Sequence, residues 1–262
     1  MAKSNNLSLI RELVASDFKL RYQGSILGYL WSLLRPLMLF GVLYVVFTKV
    51  IRIGDGVPYY PAYLLLGLVL WTFFTEATLS GMNAITGRGD LIRKVAIPKY
   101  IIVISTNVSA LVNFSLNMVV VGIFMVAGDV PLRWTLLVVP LLIAELMIFA
   151  LAVSFLLSAL FVKFRDISHI WDVVLQVFFY AVPILYPLTF PPQRIAEFIS
   201  INPLTQIFQD IRWLAITPQT RTTENVFNSQ IGRIIPIAII LLIIVLAWWY
   251  FRRSSKRFAE EL

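Results

Sequence analysis

The chain has 262 residues, of which 59% are hydrophobic and only 14% charged, and its mean hydropathy is +0.84. A soluble domain is about 45–50% apolar and about 25% charged, so too little polar surface exists here to cover a water-soluble globule. Cysteine is absent and His169 is the single histidine, which excludes disulfide staples, thiolate nucleophiles and Cys- or His-cluster metal sites. The formal charge of +8 would suggest nucleic acid in a soluble protein, but in a membrane protein it marks inside loops and anionic headgroups.

In chain order, residues 1–30 hold no apolar core ahead of a small-residue cleavage site and do not read as a signal peptide. Over 7–23, Ile10, Leu13, Val14, Phe18 and Tyr22 recur at helical spacing beside Arg11, Glu12, Lys19 and Arg21. This predicts an amphipathic interface helix, either lying on the membrane or packed on the rest of the chain. Apolar runs follow at 33–50, 62–82, 100–127, 134–162, 170–186 and 234–251. A bilayer crossing takes roughly 20 residues, so six transmembrane helices in one domain, 1–262, are expected. The third and fourth runs exceed that length and must tilt, bend or protrude.

Two connections stand out. Segment 85–100 is basic, carrying Arg88, Arg93, Lys94 and Lys99. Segment 187–233 opens on Pro187, Pro191 and Pro192 and holds two short helical stretches, 194–201 and 204–216, bounded by Asn202-Pro203 and Thr217-Pro218. Leu204, Ile207, Phe208 and Ile211 share one face, which predicts short external helices dipping back into the membrane beside the fifth span. They either line a pathway, where irregular backbone at that depth is tolerated, or form an interfacial lid. With the N-terminus inside, fifteen of the 22 Lys and Arg fall on inside segments and seven outside, so both termini are expected to be cytoplasmic. This topology absorbs the basic excess, and no nucleic-acid partner is expected.

No phosphate loop, His-Glu-x-x-His or Gly-x-Ser-x-Gly motif occurs in the sequence. Any energy input must come from a partner or an ion gradient. Within the spans, Glu76, Glu145 and Asp172 are the ionisable residues to consider. They are isolated in sequence, and three roles stay open for them: hydrogen bonding between helices, lining a hydrated pathway, or proton coupling. His169 sits in the short turn before the fifth run, where solvation or capping explains it.

Four stretches carry a family resemblance. Arg21-Tyr22-Gln23-Gly24-Ser25-Ile26-Leu27-Gly28-Tyr29-Leu30-Trp31-Ser32-Leu33-Leu34-Arg35-Pro36 resembles the segment that joins the interface helix to the first span in permeases of type-2 ABC exporters for polysaccharides. Leu91-Ile92-Arg93-Lys94-Val95-Ala96-Ile97-Pro98-Lys99 is similar to their cytoplasmic loop after the second span. Arg165-Asp166-Ile167 with Pro183-Ile184-Leu185-Tyr186-Pro187 resembles the two ends of their fifth span, and Asn202-Pro203-Leu204-Thr205 the opening of their last external helix. Arg35 departs from the uncharged Asn that is commoner before this proline.

The resemblance implies a multi-pass subunit of a bacterial plasma membrane exporter. It would be a homodimer, bound by two copies of a separate cytoplasmic ABC ATPase, and would move a lipid-linked polysaccharide of the O-antigen, capsule or teichoic acid type. It implies no cofactor, metal or catalytic residue in this chain, with ATP and Mg on the partner subunit. Arg88, Leu91, Ile92, Arg93, Lys94, Val95 and Ile97 would then form the ATPase coupling segment, its apolar members in a groove of the partner. Lys19, Arg21, Tyr22 and Arg35 would gate admission of the phosphate-bearing head group. Aromatic residues near the span ends, Tyr59, Tyr63, Trp71, Phe74, Phe178, Phe179, Tyr180 and Tyr186, would either line a glycan channel or sit in a headgroup belt. The alternatives are a permease for a small lipid or drug, and a membrane enzyme acting on a lipid-linked sugar.

Overall fold

The computed structural model describes residues 6–22, 28, 30–94 and 97–258, and it is helical, with no strand among the described residues. The first helix, α1 (Asn6–Tyr22), turns Leu9, Ile10, Leu13, Val14 and Phe18 toward the protein, the face that the sequence predicts. It runs alongside the first turns of α5 (Lys99–Ala127): Asn6 Nδ2 donates to the Tyr100 hydroxyl at 3.3 Å, and Ser109 Oγ donates to Asp17 at 3.4 Å. The packed alternative therefore describes α1 better than a free surface helix.

Helix α2 (Leu30–Val45) continues through a π-helical turn, Val46–Val50. Pro36 lies inside it and cannot donate to the Ser32 carbonyl one turn back. Asn117 Nδ2, from α5, reaches that carbonyl at 3.3 Å instead, which is how a membrane helix tolerates an internal proline. Few α2 residues are buried, and the helix lies on the outside of the protomer.

The centre is α3 (Tyr60–Asn83), packed between α5 and α6 (Val139–Lys163). Tight approach sets the α3–α6 crossing. A Cβ on Gly81 would come within 2.4 Å of the Ser154 Cβ and Oγ, and the Ser154 hydroxyl lies 3.1 Å from the Ala77 carbonyl. Small residues that let two backbones close up are the usual glue between membrane helices, because lipid provides no hydrophobic drive. Glu76 accepts from Asn113 Nδ2 at 2.7 Å, so this intramembrane carboxylate serves as a hydrogen bond between α3 and α5.

Between α3 and α5 lies the short helix α4 (Gly89–Lys94). After α6, helix α7 (Ile167–Ala181) has 15 residues, about 22 Å at 1.5 Å per residue, which is less than a hydrocarbon core of about 30 Å. Among the described residues, five helical segments are long and apolar enough to cross a bilayer, and α7 is a shorter apolar helix. The sequence run 170–186 thus divides into a helix and an irregular tail, because Pro183 and Pro187 cannot continue the hydrogen-bond ladder.

Three short helices follow, α8 (Gln193–Ser200), α9 (Pro203–Ala215) and α10 (Thr223–Phe227), before α11 (Ile231–Ser254) returns across the bundle. Side chains cap the starts of α9, which the sequence predicts, and of α10, which it does not. Asn202 Oδ1 accepts from the Leu204 amide at 3.0 Å, and Thr222 with Asn225 forms a reciprocal capping box. The bundle therefore has a basic end, holding α4 and the start of α5, and an opposite end built from α8–α10.

Candidate functional site

At the α8–α10 end, the irregular segment after α7 leaves its carbonyls without helical partners, and where the segment is buried, at 182–185, each must be satisfied by protein. The hydroxyl of Tyr186 lies 3.0 and 3.2 Å from the carbonyls of Tyr180 and Ala181. Ile184 N donates to the Val182 carbonyl at 2.7 Å. Arg212, from α9, donates to the Pro183 carbonyl and, at 2.6 Å, to that of Ile184. Tyr60 Oη donates to Leu185 at 2.8 Å. Six consecutive carbonyls, 180–185, are accounted for in this way.

Arg212 is the keystone of this arrangement. It is 0% exposed, its guanidinium lies 3.7 Å from the centre of the Tyr63 ring, and its Nη2 also reaches the Tyr63 carbonyl at 3.1 Å. A Cβ on Gly67 would come within 2.0 Å of Nη2, so only glycine leaves room for the guanidinium to cross α3. Burial pushes the Arg212 pKa down, yet a guanidinium stays protonated in proteins. Its charge rests on carbonyl dipoles at the C-terminal, negative end of α7. In the sequence, Arg212 counts only as one of seven outside cations; the signal that was present is an arginine beside the apolar face of a helix, opposite a glycine of a central span.

The other face of α9 buries a second polar group. Gln206 Nε2 donates to Asp210 at 2.9 Å, and Arg233 reaches Asp210 at 3.4 Å and Glu224 at 3.3 Å, joining α9, α10 and α11. Burial raises the Asp210 pKa, with Gln206 and Arg233 pulling it back. Glu145, on α6, faces the same cluster. The C-terminal carbonyls of α9 are closed by the segment before α6: Thr135 Oγ1 donates to Leu214 at 2.7 Å and Arg133 to Trp213 at 3.1 Å.

Among the aromatic residues expected along a channel, α3 and α7 part company. Tyr63, Trp71 and Phe74 are buried within the protomer, because α3 is the central helix; Phe74 stacks on Phe149 with ring centres 5.6 Å apart, and Trp71 meets Phe179 at 5.9 Å. Tyr186 is occupied with backbone. Tyr63, Trp71 and Phe74 are core residues, which corrects the channel expectation for them, whereas Tyr186 is half-buried. Phe178 and Phe179 are half-buried, Tyr59 is partly exposed at the start of α3, and Tyr180 is 69% exposed. On α7, His169, Val173, Gln176 and Tyr180 fall on one helical face with Asp172 at its edge, and all five are exposed. Asp172 and Gln176 therefore point out of the chain's own bundle from an otherwise apolar helix.

At the basic end the coupling residues also divide. Arg88 turns inward, pairing with Asp17 of α1 and donating to Ser105 at 3.2 Å. Ile92 is buried with Ile85, Ile102, Phe155 and Phe251, and Ile97 packs against the same cluster. Ile92 is covered by its own bundle on the apolar side of α4, and Arg88, in the turn before α4, is engaged by Asp17 and Ser105. Arg93 and Lys94 are exposed and Leu91 half-buried; Val95 lies outside the described residues. Lys99 donates to the Ser255 carbonyl and lies 5.6 Å from the Phe258 ring, tying α5 to the chain after α11. Of the gate residues, Lys19 and Arg35 are exposed, and the side chains of Arg21 and Tyr22 lie outside the described ones. A small polar cavity of about 160 Å³ opens between α1, α3 and α5, lined by Asp17, Ser80, Thr106 and Ser109. Among the described residues no group of His, Asp and Glu is gathered as a metal site.

Comparison with known proteins adds identity to this geometry. Residues 8–215 match the family model described as ABC-2 type transporter. The chain is 34% identical over 204 residues to the O-antigen export system permease protein RfbA of Myxococcus xanthus, covering 76% of each chain. Two RfbA permease proteins of Klebsiella pneumoniae are 29% identical over 200 residues and 28% identical over 207, covering 76% and 79% of each chain.

Proposed function

The chain belongs to the ABC-2 type transporter family, and from that premise we propose that it is the transmembrane subunit of an ATP-driven exporter of a lipid-linked O-antigen polysaccharide. ATP is hydrolysed by a separate subunit, and this chain is a transporter component rather than an enzyme. Two copies form the pathway in a bacterial inner membrane, with the basic end and both termini on the cytoplasmic side. The fifteen-to-seven distribution of Lys and Arg supports that orientation.

The observation that carries this reading is the exposed face of α7. Asp172 and Gln176 leave the protomer at membrane depth, and a polar side chain there faces water or another protein rather than lipid tails. A second copy opposite α7 encloses a hydrated path lined by His169, Asp172, Gln176 and Tyr180. Tyr180 offers a ring on which the apolar C–H face of a sugar stacks. The path leads to the segment 182–186 and the external helices α8–α10. At the cytoplasmic end, Arg93, Lys94 and Leu91 meet the ATPase, while Arg88, through Asp17, links that contact to α1. Lys19 and Arg35 lie where a phosphate-bearing head group is admitted.

Reconstitution with the cognate ATPase and lipid-linked glycan tests this reading. ATP-dependent appearance of glycan on the far side of the vesicle is expected. Transport of small amphiphiles with no glycan movement would overturn it in favour of a lipid or drug permease, and conversion of the lipid-linked sugar without transport in favour of a membrane enzyme.

A further inference from the structure

The buried guanidinium of Arg212 does more than fill space, and the geometry points to it as the positioning residue for the external mouth of the pathway. Its acceptors come from two different elements: the Pro183 and Ile184 carbonyls of the irregular segment, and the Tyr63 carbonyl of α3. The arginine itself belongs to α9, so one side chain pins three parts of the protein together. Tyr60 and Tyr186 hold neighbouring carbonyls, but neither of them bridges to α9. Among the described residues no carboxylate pairs with Arg212; Asp210, on the opposite face of α9, is engaged by Gln206 and Arg233.

A core built only for stability would fill this volume with an apolar side chain, since a buried charge without a partner ion is expensive. What the guanidinium supplies is direction. Its planar fork fixes where the two carbonyls after α7 lie relative to α9, and those carbonyls lie three and four residues after Tyr180. Arg212 therefore sets the separation between the end of the pathway-lining helix and the external helices. Gly67 belongs to the same device, because any side chain there displaces Nη2. The inference rests on the permease reading of α7.

The experiment uses the complete complex of this chain with its ATPase in phosphatidylethanolamine–phosphatidylglycerol vesicles, measuring carboxyfluorescein release without ATP and glycan export with ATP, both per assembled complex. Arg212→Lys keeps the charge but loses the fork, and Gly67→Ala keeps every hydrogen-bonding group but moves the guanidinium. Both are expected to raise resting dye release roughly tenfold, the factor that losing one charged hydrogen bond brings, and to lower export. Phe155→Ala, a cavity in the cluster at the other end, is the control of reduced stability without leak. On the Arg212→Lys background most of the Gly67→Ala effect should vanish, because its 2.0 Å clash is with the guanidinium, while the Ile184 carbonyl at 3.1 Å is a lesser contact.

Dye release in both variants equal to that of the Phe155→Ala control, or a Gly67→Ala effect that is undiminished without the arginine, overturns the positioning role. Gly67→Ala and Tyr60→Phe, which frees only the Leu185 carbonyl, carry the test if Arg212→Lys does not assemble. A wild-type complex that hydrolyses ATP but moves no glycan overturns the permease reading instead, and the two failures are therefore distinguishable.

Discussion

Helices α3 and α7 are both apolar, both aromatic and in contact with each other, yet they do opposite work. Helix α3 is enclosed by α5, α6 and α9, and its Tyr63, Trp71 and Phe74 are core residues. Helix α7 buries only Leu175 and turns His169, Asp172, Gln176 and Tyr180 out of the protomer. Within a membrane, hydropathy alone does not separate these roles, because lipid and protein core reward the same side chains. The distinguishing signs are a glycine at each close approach of α3, Gly67 and Gly81, and polar residues at helical spacing on α7.

The sharpest way to break the contrast is to overfill α3. Gly81→Val places a side chain where Ser154 already stands at 2.4 Å from the first added carbon, and overpacking of that kind costs about 1–3 kcal/mol or more. Loss of monodisperse protein is expected in size-exclusion chromatography, and the same substitution at Gly122, which meets open space, should leave the elution unchanged. Next, Phe74→Ala should destabilise by about 3–5 kcal/mol through the cavity it leaves, whereas Tyr180→Ala should leave the melting temperature unchanged and lower glycan export. A comparable loss of melting temperature in Tyr180→Ala would dissolve the distinction between core and pathway.

A smaller effect is expected at the basic end. Charge reversal at Arg93 and Lys94 should weaken co-purification of the ATPase without altering thermal stability, since both side chains are exposed. Unchanged co-purification would place the docking surface elsewhere. Smallest is the pH response of the α9 cluster. Burial raises the Asp210 pKa in the fold, so folding favours the protonated form. That stability is fully present below the ordinary carboxylate range near 4 and is lost as pH rises through the raised folded value. Acidification from neutrality should therefore raise the melting temperature, with Arg233, Glu224 and Glu145 around the group. Asp210→Asn should flatten the response.

Much of this architecture was readable from residues. The face of α1, the apolar runs and the limits of α9 at Asn202-Pro203 and Thr217-Pro218 follow from periodicity and capping chemistry. The motif segments gave a family that the comparisons share. What the sequence hid was pairing at a distance. Arg212 counted only as an outside cation and Arg88 as part of a basic loop, because nothing local reveals that carbonyls 28 and 29 residues away, or Asp17 on the first helix, take them up. The shortness of α7 was hidden as well, since Val182–Tyr186 is as apolar as the helix before it. Ile92 read as a docking residue because an apolar side chain on a basic loop has the same pattern whether a partner or its own bundle covers it.

The most direct test of the claim that α7 rather than α3 faces the pathway uses the absence of cysteine from the chain. Single substitutions Gln176→Cys, Tyr180→Cys, Trp71→Cys and Phe74→Cys are made in the assembled complex and exposed to a membrane-impermeant maleimide. Labelling at 176 and 180, with 71 and 74 protected until the protein is denatured, is the predicted result. Labelling at 71 or 74 in the native complex, with 176 and 180 protected, would contradict it.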